Sequence, residues 1–223
     1  NDYADREIDK HIKRTQNRPI TSGEISPRSA LILFVILIFI AFLLVLQTNL
    51  LTIQLSLLAA GLATIYPFTK RWTNLPQLVL GAAFGMSIPM AFAAQTGSVP
   101  LEAGLVFLAS LVWTLIYDTL YAMADRDEDL IIGVKSTAIL FKRYDHIVIS
   151  VLQLLLILIF FGIGNSFNLG QIYNFSVIFI VCFMIYHQIL MKKRQNEQYF
   201  KAFIHNNYLG MTAFAGIFLS VAI

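Results

Sequence analysis

The chain opens on carboxylates at four-residue spacing: Asn1-Asp2-Tyr3-Ala4-Asp5-Arg6-Glu7-Ile8-Asp9 reads N-D-x-x-D-x-x-x-D. On a helix advancing about 100° per residue, Asn1, Asp5 and Asp9 drift by only about 40° per step, and Asp2 falls in the same sector. A second run, from Asp118 to Asp129, reads D-x-x-Y-A-x-x-D-x-x-x-D. It places Asp118, Tyr121, Ala122, Asp125 and Asp129 within an arc of about 100°, while Asp127 points away and is expected to be solvated. Carboxylates sharing a face repel one another, and at the end of an apolar segment they are costly to desolvate, so a cation must compensate them. Oxygen donors without clustered His or Cys suit Mg²⁺, which takes one or two carboxylates and fills its shell with water and phosphate oxygens. The chemistry implied is the handling of a phosphate ester or diphosphate. A single D-x-x-x-D is better explained as an acidic helix end in water. Two of them, with Asp118 about one to two turns inside an apolar run, favour a metal site.

The elements that must hold these residues are membrane helices. Of the 223 residues, 57% are hydrophobic and 13% charged, and mean hydropathy is +0.70, a balance that belongs in a bilayer. Seven apolar stretches lie near residues 30–47, 51–67, 76–94, 101–122, 145–163, 172–191 and 203–223. Each approaches the roughly 20 residues that cross a hydrocarbon core, and none alternates with period two, which predicts helices. The expected fold class is an all-α integral membrane bundle forming one domain over residues 1–223. All sixteen Lys and Arg fall within 1–29, 68–75, 123–144 and 191–202, and the intervening connections carry none. This alternation assigns the basic segments and both acidic runs to the cytoplasmic side, with a bacterial inner membrane expected. The lipid bilayer is an expected partner and nucleic acid is not. The chain begins within the first acidic run, without an initiator Met, and further sequence is expected upstream.

Other residues carry weaker expectations. Cys182 lies in an apolar run and is expected to pack. His11, His146, His187 and His205 lie at or near helix ends without a metal-binding partner one turn away, and read as interfacial. Gly81 to Gly85 permits close helix approach, Pro89 predicts a kink, and Asn206 and Asn207 are expected to hydrogen-bond between helices.

The two acidic motifs resemble the signatures of UbiA-type prenyltransferases. The resemblance extends to Lys13-Arg14-Thr15-Gln16-Asn17-Arg18-Pro19, Tyr66-Pro67-Phe68-Thr69-Lys70-Arg71 and Gly133-Val134-Lys135-Ser136-Thr137-Ala138. It implies a UbiA-like bundle of nine helices around a central cavity, of which the seven spans here are helices three to nine. It also implies Mg²⁺-dependent transfer of a polyprenyl chain from its diphosphate to an aromatic acceptor. Residues 66–92 and 117–141 look most like the branch that prenylates 4-hydroxybenzoate for ubiquinone, with 1,4-dihydroxy-2-naphthoate as the alternative acceptor.

By the same resemblance, Asn1, Asp2, Asp5, Asp9, Asp125 and Asp129 form the metal-binding set, and Asp5, Asp118, Asp125 and Lys70 the catalytic set. Tyr66, Lys70, Arg71, Tyr121, Arg14, Arg18 and Lys135 are candidate substrate contacts. Lys70 lies one turn after Tyr66, so both can face the cavity, Lys70 toward the diphosphate; an interfacial anchor pair is the competing reading. Arg71 offers a planar fork for an acceptor carboxylate. Tyr121 either lines the pocket of the allylic cation or sits in a helix interface. Arg14, Arg18 and Lys135 either close over the pyrophosphate or serve the positive-inside bias. No general base is assigned. A cation-coupled transporter is the rival from another class, but it would be expected to carry its ionisable groups near the bilayer midplane and at broken helices.

Overall fold

The computed structural model describes residues 2–12 and 14–222, and these form helices with no strand among them. Two short helices, α1 (Asp2–Asp9) and α2 (Pro19–Ser22), precede the spans α3 (Pro27–Val45) and α4 (Leu50–Thr69). The next span consists of α5 (Pro76–Gly85) and α6 (Ser87–Thr96), followed by the long α7 (Leu101–Ala124). Two short helices, α8 (Arg126–Ile132) and α9 (Thr137–Phe141), lead into α10 (Asp145–Ser166), α11 (Gln171–Met191) and α12 (Asn196–Ala222).

Local sequence explains the boundaries. Ser26 caps α3 by accepting from Ser29 N at 3.0 Å, with Pro27 in the first turn, where no N–H is needed. Asn49 caps α4 through Thr52 N, also at 3.0 Å. Pro89 has no N–H for the carbonyl of Gly85, and the predicted kink takes the form of a break at Met86 between α5 and α6. Gly133, at φ +78°, ends α8 in the left-handed conformation and turns the chain away from the second acidic motif.

Among the described residues, six helical segments are long and apolar enough to cross a membrane: Pro27–Val45, Leu50–Thr69, Pro76–Thr96, Leu101–Ala124, Thr137–Ser166 and Gln171–Met191. The seventh expected span is α12, 27 residues long, whose first half carries Glu197, Lys201, His205, Asn206 and Asn207 and is correspondingly less apolar. The chain is therefore an integral membrane protein. α7 is the central post, packed against α5, α10 and α12, and α11 lies along α12. Val112, Ile116, Leu120 and Met123 of α7 meet Leu156, Val177 and Leu209 in the core. α3 buries none of its residues and is apolar all round, as a helix solvated by lipid can be.

Two expectations are corrected. Cys182 is exposed on the outer face of α11 and does not pack in the core. His187 is fully buried, and its Nε2 lies 3.1 Å from Nδ1 of His205, so these two residues join α11 to α12 within the bundle. The pairing is between residues on different helices, and spacing along one helix carries no trace of it.

Candidate functional site

Successive spans run up and down, so α4, α7 and α11 end where α5, α10 and α12 begin. The Lys/Arg-bearing connections and both acidic motifs consequently share one end of the bundle. There, α1 lies against the end of α4 and faces the end of α7 across an open cavity of about 110 Å³. Asp5 and Asp9 enter it from α1, Tyr66 and Lys70 from the end of α4, and Asp118, Tyr121 and Asp125 from the last two turns of α7. Asp129 of α8, Arg18 and Lys135 complete its charged lining.

The first motif presents Asp5 and Asp9 from one helix, as expected, whereas the second is split between the end of α7 and α8 and still turns Asp118, Asp125 and Asp129 to the same cavity. Asp5, Asp9, Asp125 and Asp129 are all buried, whereas Asp127 is exposed. Ion pairs hold the first motif. Lys70 Nζ lies 2.5 Å from Asp5 Oδ2, and Arg18 Nη1 donates to Asp2 at 3.0 Å and to Asp9 at 3.1 Å. Arg14 pairs with Asp125, and its guanidinium carbon stacks 3.9 Å from the ring centroid of Tyr121 and 4.7 Å from that of Phe200. The loop after the first motif thus reaches across to the second.

Backbone contacts fix the loops that carry Lys70 and Asp129. The Lys135 amide donates to the Lys70 carbonyl at 3.1 Å, and Lys135 Nζ donates to the Trp72 carbonyl at 3.1 Å. Thr137 N donates to Oε1 of Gln77 at 3.2 Å. Gln77, Thr15 and Ser136 also line the cavity, and sequence reasoning missed all three. Gln77 is buried one residue after the Pro that opens α5.

Burial raises the carboxyl pKa of Asp9 despite Arg18, and that of Asp125 despite Arg14. Asp129 is pushed up to about 7, first by burial and then by repulsion from Asp125. A cation beside Asp125 and Asp129 would offset their repulsion. One buried oxygen, Oδ1 of Asp5, has no hydrogen-bond partner among the described residues. The donor set fits Mg²⁺: it is all oxygen, faces a cavity, and retains a free carboxylate oxygen. Among the described residues no three His, Cys, Asp or Glu side chains converge closely enough to hold a metal ion by themselves.

Not every candidate enters the cavity. Arg71 is exposed at the rim, donating to the Ala4 carbonyl at 3.3 Å and stacking on Phe68. Asp2 is half-buried against Arg18, and Arg14 stands beside the cavity through its contact with Asp125. Asn1 lies outside the described residues.

Fold and site define a membrane-embedded helical bundle that holds opposed acidic motifs and phosphate-ready cations in one cavity. The profile of the "UbiA prenyltransferase family" matches residues 1–216. A 4-hydroxybenzoate octaprenyltransferase of Vesicomyosocius okutanii is 56% identical over all of this chain and 82% of its own length. Relatives of the same name from Photobacterium profundum and Methylococcus capsulatus are 53% and 51% identical, over 99% and 98% of this chain and 77% and 75% of their own lengths. Among solved structures, the apo structure of a UbiA homolog from Aeropyrum pernix K1 superimposes with a TM-score of 0.87 at 25% identity, covering 99% of this chain and 82% of that one. A digeranylgeranylglyceryl phosphate synthase shares the fold, with a TM-score of 0.74 at 18% identity over 100% of this chain and 79% of that one. The chain belongs to the UbiA prenyltransferase family, and it is an enzyme of the prenyltransferase class.

Proposed function

We propose that this chain transfers a polyprenyl group from polyprenyl diphosphate to the ring of 4-hydroxybenzoate, in a Mg²⁺-dependent step of ubiquinone biosynthesis. The observation that carries the reading is the meeting of Asp5, Asp9, Asp118, Asp125 and Asp129 with Arg18, Lys70 and Lys135 in one cavity. Its support for the acceptor is the name shared by relatives more than half identical over the full chain, and those names also suggest an octaprenyl donor. Residues 1–223 act as one membrane domain, in a bacterial inner membrane with the cavity toward the cytoplasm, the side favoured for Lys and Arg.

Asn1 and Asp5 on one side, and Asp125 and Asp129 on the other, are the residues that would hold Mg²⁺, with Asp2 and Asp9 supporting the first pair. Bound there, the metal supplies positive charge to the diphosphate as it leaves. The chain itself contributes the rest. Lys70 Nζ, at the cavity wall beside Asp5, binds diphosphate oxygens, and Arg18 and Lys135 add charge at the mouth. Tyr66 and Tyr121 present rings to the positive charge that develops on the allylic carbon. Asp118, inside the membrane end of α7, orients the groups around that carbon. Arg14 steadies Asp125, and Arg71 at the rim offers its fork to the acceptor carboxylate. Ring attack forms the carbon–carbon bond as the carbon–oxygen bond to diphosphate breaks, and the ring then loses a proton.

The test is an assay of the enzyme in membranes with a polyprenyl diphosphate and labelled 4-hydroxybenzoate, with and without Mg²⁺. Magnesium-dependent prenylated product is expected. Absence of product with every phenolic acceptor would sink the reading, and preference for 1,4-dihydroxy-2-naphthoate would move the acceptor assignment.

A further inference from the structure

The two acidic motifs share the sequence D-R-x-x-D, at Asp5–Asp9 and Asp125–Asp129, yet the arginines behave differently. Arg6 donates to the carbonyl of Tyr3 in its own helix at 2.6 Å and lies 3.8 Å from the exposed Glu7. Arg126 instead turns to the side away from the cavity and pairs with Asp145, whose side chain is only 1% exposed. Asp145 opens α10 and also accepts from the His146 amide at 2.7 Å. Nε2 of His146 lies 3.3 Å from the hydroxyl of Tyr199, one residue before the Phe200 on which Arg14 stacks.

We propose that Arg126 is a positioning residue, and that its buried ion pair with Asp145 is the strut that sets Asp125 and Asp129 at the height required to face the first motif. The peptide unit of Arg126 adjoins Asp125, and Asp129 lies three residues on in α8, so anchoring the Arg126 side chain restricts the backbone that carries both. α8 has only seven residues and lacks a side-chain cap at its start, so it cannot hold that placement by itself. A carboxylate as buried as Asp145 is costly without its partner, which makes the pair an all-or-none contact. The first turn of α12 then braces the second motif from two directions, through Tyr199 and His146 behind it and through Phe200 and Arg14 in front. The consequence for catalysis rests on the diphosphate reading given above; the strut itself does not.

The test uses the full chain in lipid nanodiscs and reads two quantities. One is amide hydrogen exchange over residues 125–133, and the other is calorimetric binding of inorganic pyrophosphate with Mg²⁺. Asp145→Asn and Arg126→Gln are each expected to speed exchange and weaken pyrophosphate binding at least about tenfold, leaving exchange over 171–191 unchanged. The exchanged pair Arg126→Asp with Asp145→Arg should restore both to within about threefold of wild type. A merely structural role would lower the yield of folded protein without moving the affinity of the folded fraction. Unchanged exchange over 125–133 in Asp145→Asn overturns the proposal. If the single variants do not fold, Arg126→Lys replaces them. It keeps the charge and loses the planar fork, so a threefold or larger rise in exchange, on the order expected for such a loss, supports the strut, and no rise overturns it. Failure of the wild type to bind Mg²⁺ and pyrophosphate would count against the diphosphate reading, while exchange would still decide the strut.

Discussion

The two halves of the site have the same carboxylate spacing and are built in different ways. The first motif sits on α1, eight residues long, and is held to the bundle by Lys70, Arg18 and the contact of Arg71 with the Ala4 carbonyl. The second grows out of α7, whose Leu120 and Met123 are fully buried in the core, and continues through α8 to the Arg126–Asp145 pair. One half is pinned electrostatically and the other is packed. An electrostatically held half can shift when charge arrives, whereas a packed half supplies a fixed reference for it. This division suits a site that must admit a highly charged substrate and close around it.

The severest way to break the comparison is to remove one carboxylate from each half. Asp5→Ala and Asp125→Ala are each expected to lower kcat by about 10²–10³-fold or more while the protein still inserts in the membrane. Product formation in membranes and protein level on immunoblots check this together. Near-normal turnover in either variant would remove that half from the proposed Mg²⁺-binding set.

Lys70→Gln comes next. It leaves the buried Asp5 without its partner, a loss of about 3–5 kcal/mol where a buried pair is broken, and removes the diphosphate contact proposed for Lys70. Turnover should fall by roughly 10²-fold, with faster amide exchange over residues 2–9 and no change over 125–133. Equal loosening of both halves would mean that they are a single unit.

The division was only partly legible in sequence. Hydropathy and the alternation of basic connections supplied the spans, and the four-residue spacing of Asp5, Asp9, Asp125 and Asp129 supplied both acidic sets, because each signal is local in sequence; the break between α7 and α8 was not among those signals. What stayed hidden is contact between elements distant in sequence. Nothing near Arg126 points to Asp145, nothing near His187 points to His205, and Gln77 became visible as a cavity residue only once α5 lay against the end of α7. Arg71 was named for its chemistry, but backbone geometry decides that it stands at the rim.

A packing change should affect the second half selectively. Gly81 lets α5 approach α7 so closely that a Cβ there would lie 3.0 Å from the Leu111 carbonyl oxygen. Gly81→Val is expected to destabilise the fold by about 1–3 kcal/mol and lower the Tm, since backbone cannot yield as a flexible side chain does. Exchange should rise along α5 and α7 before it rises over residues 2–9. The reverse order would show that α1, and not α7, is the weaker support.

Salt gives the smallest and most direct comparison. The Arg18–Asp2 pair is exposed on both sides, with side chains 29% and 46% exposed, so ions reach it. The Arg126–Asp145 pair is more enclosed, with side chains 24% and 1% exposed. Screening shortens from about 10 Å at 0.1 M to about 3 Å at 1 M ionic strength, and it weakens exposed pairs far more than buried ones. Between these concentrations, exchange over residues 2–9 should rise by a few-fold, the effect of losing about 1 kcal/mol, while exchange over 125–133 stays level. Arg18→Gln should raise exchange at low salt and remove most of the salt response. Were the second motif to loosen with salt as much as the first, the Arg126–Asp145 contact would be open to water, and the contrast between a pinned half and a packed half would fail.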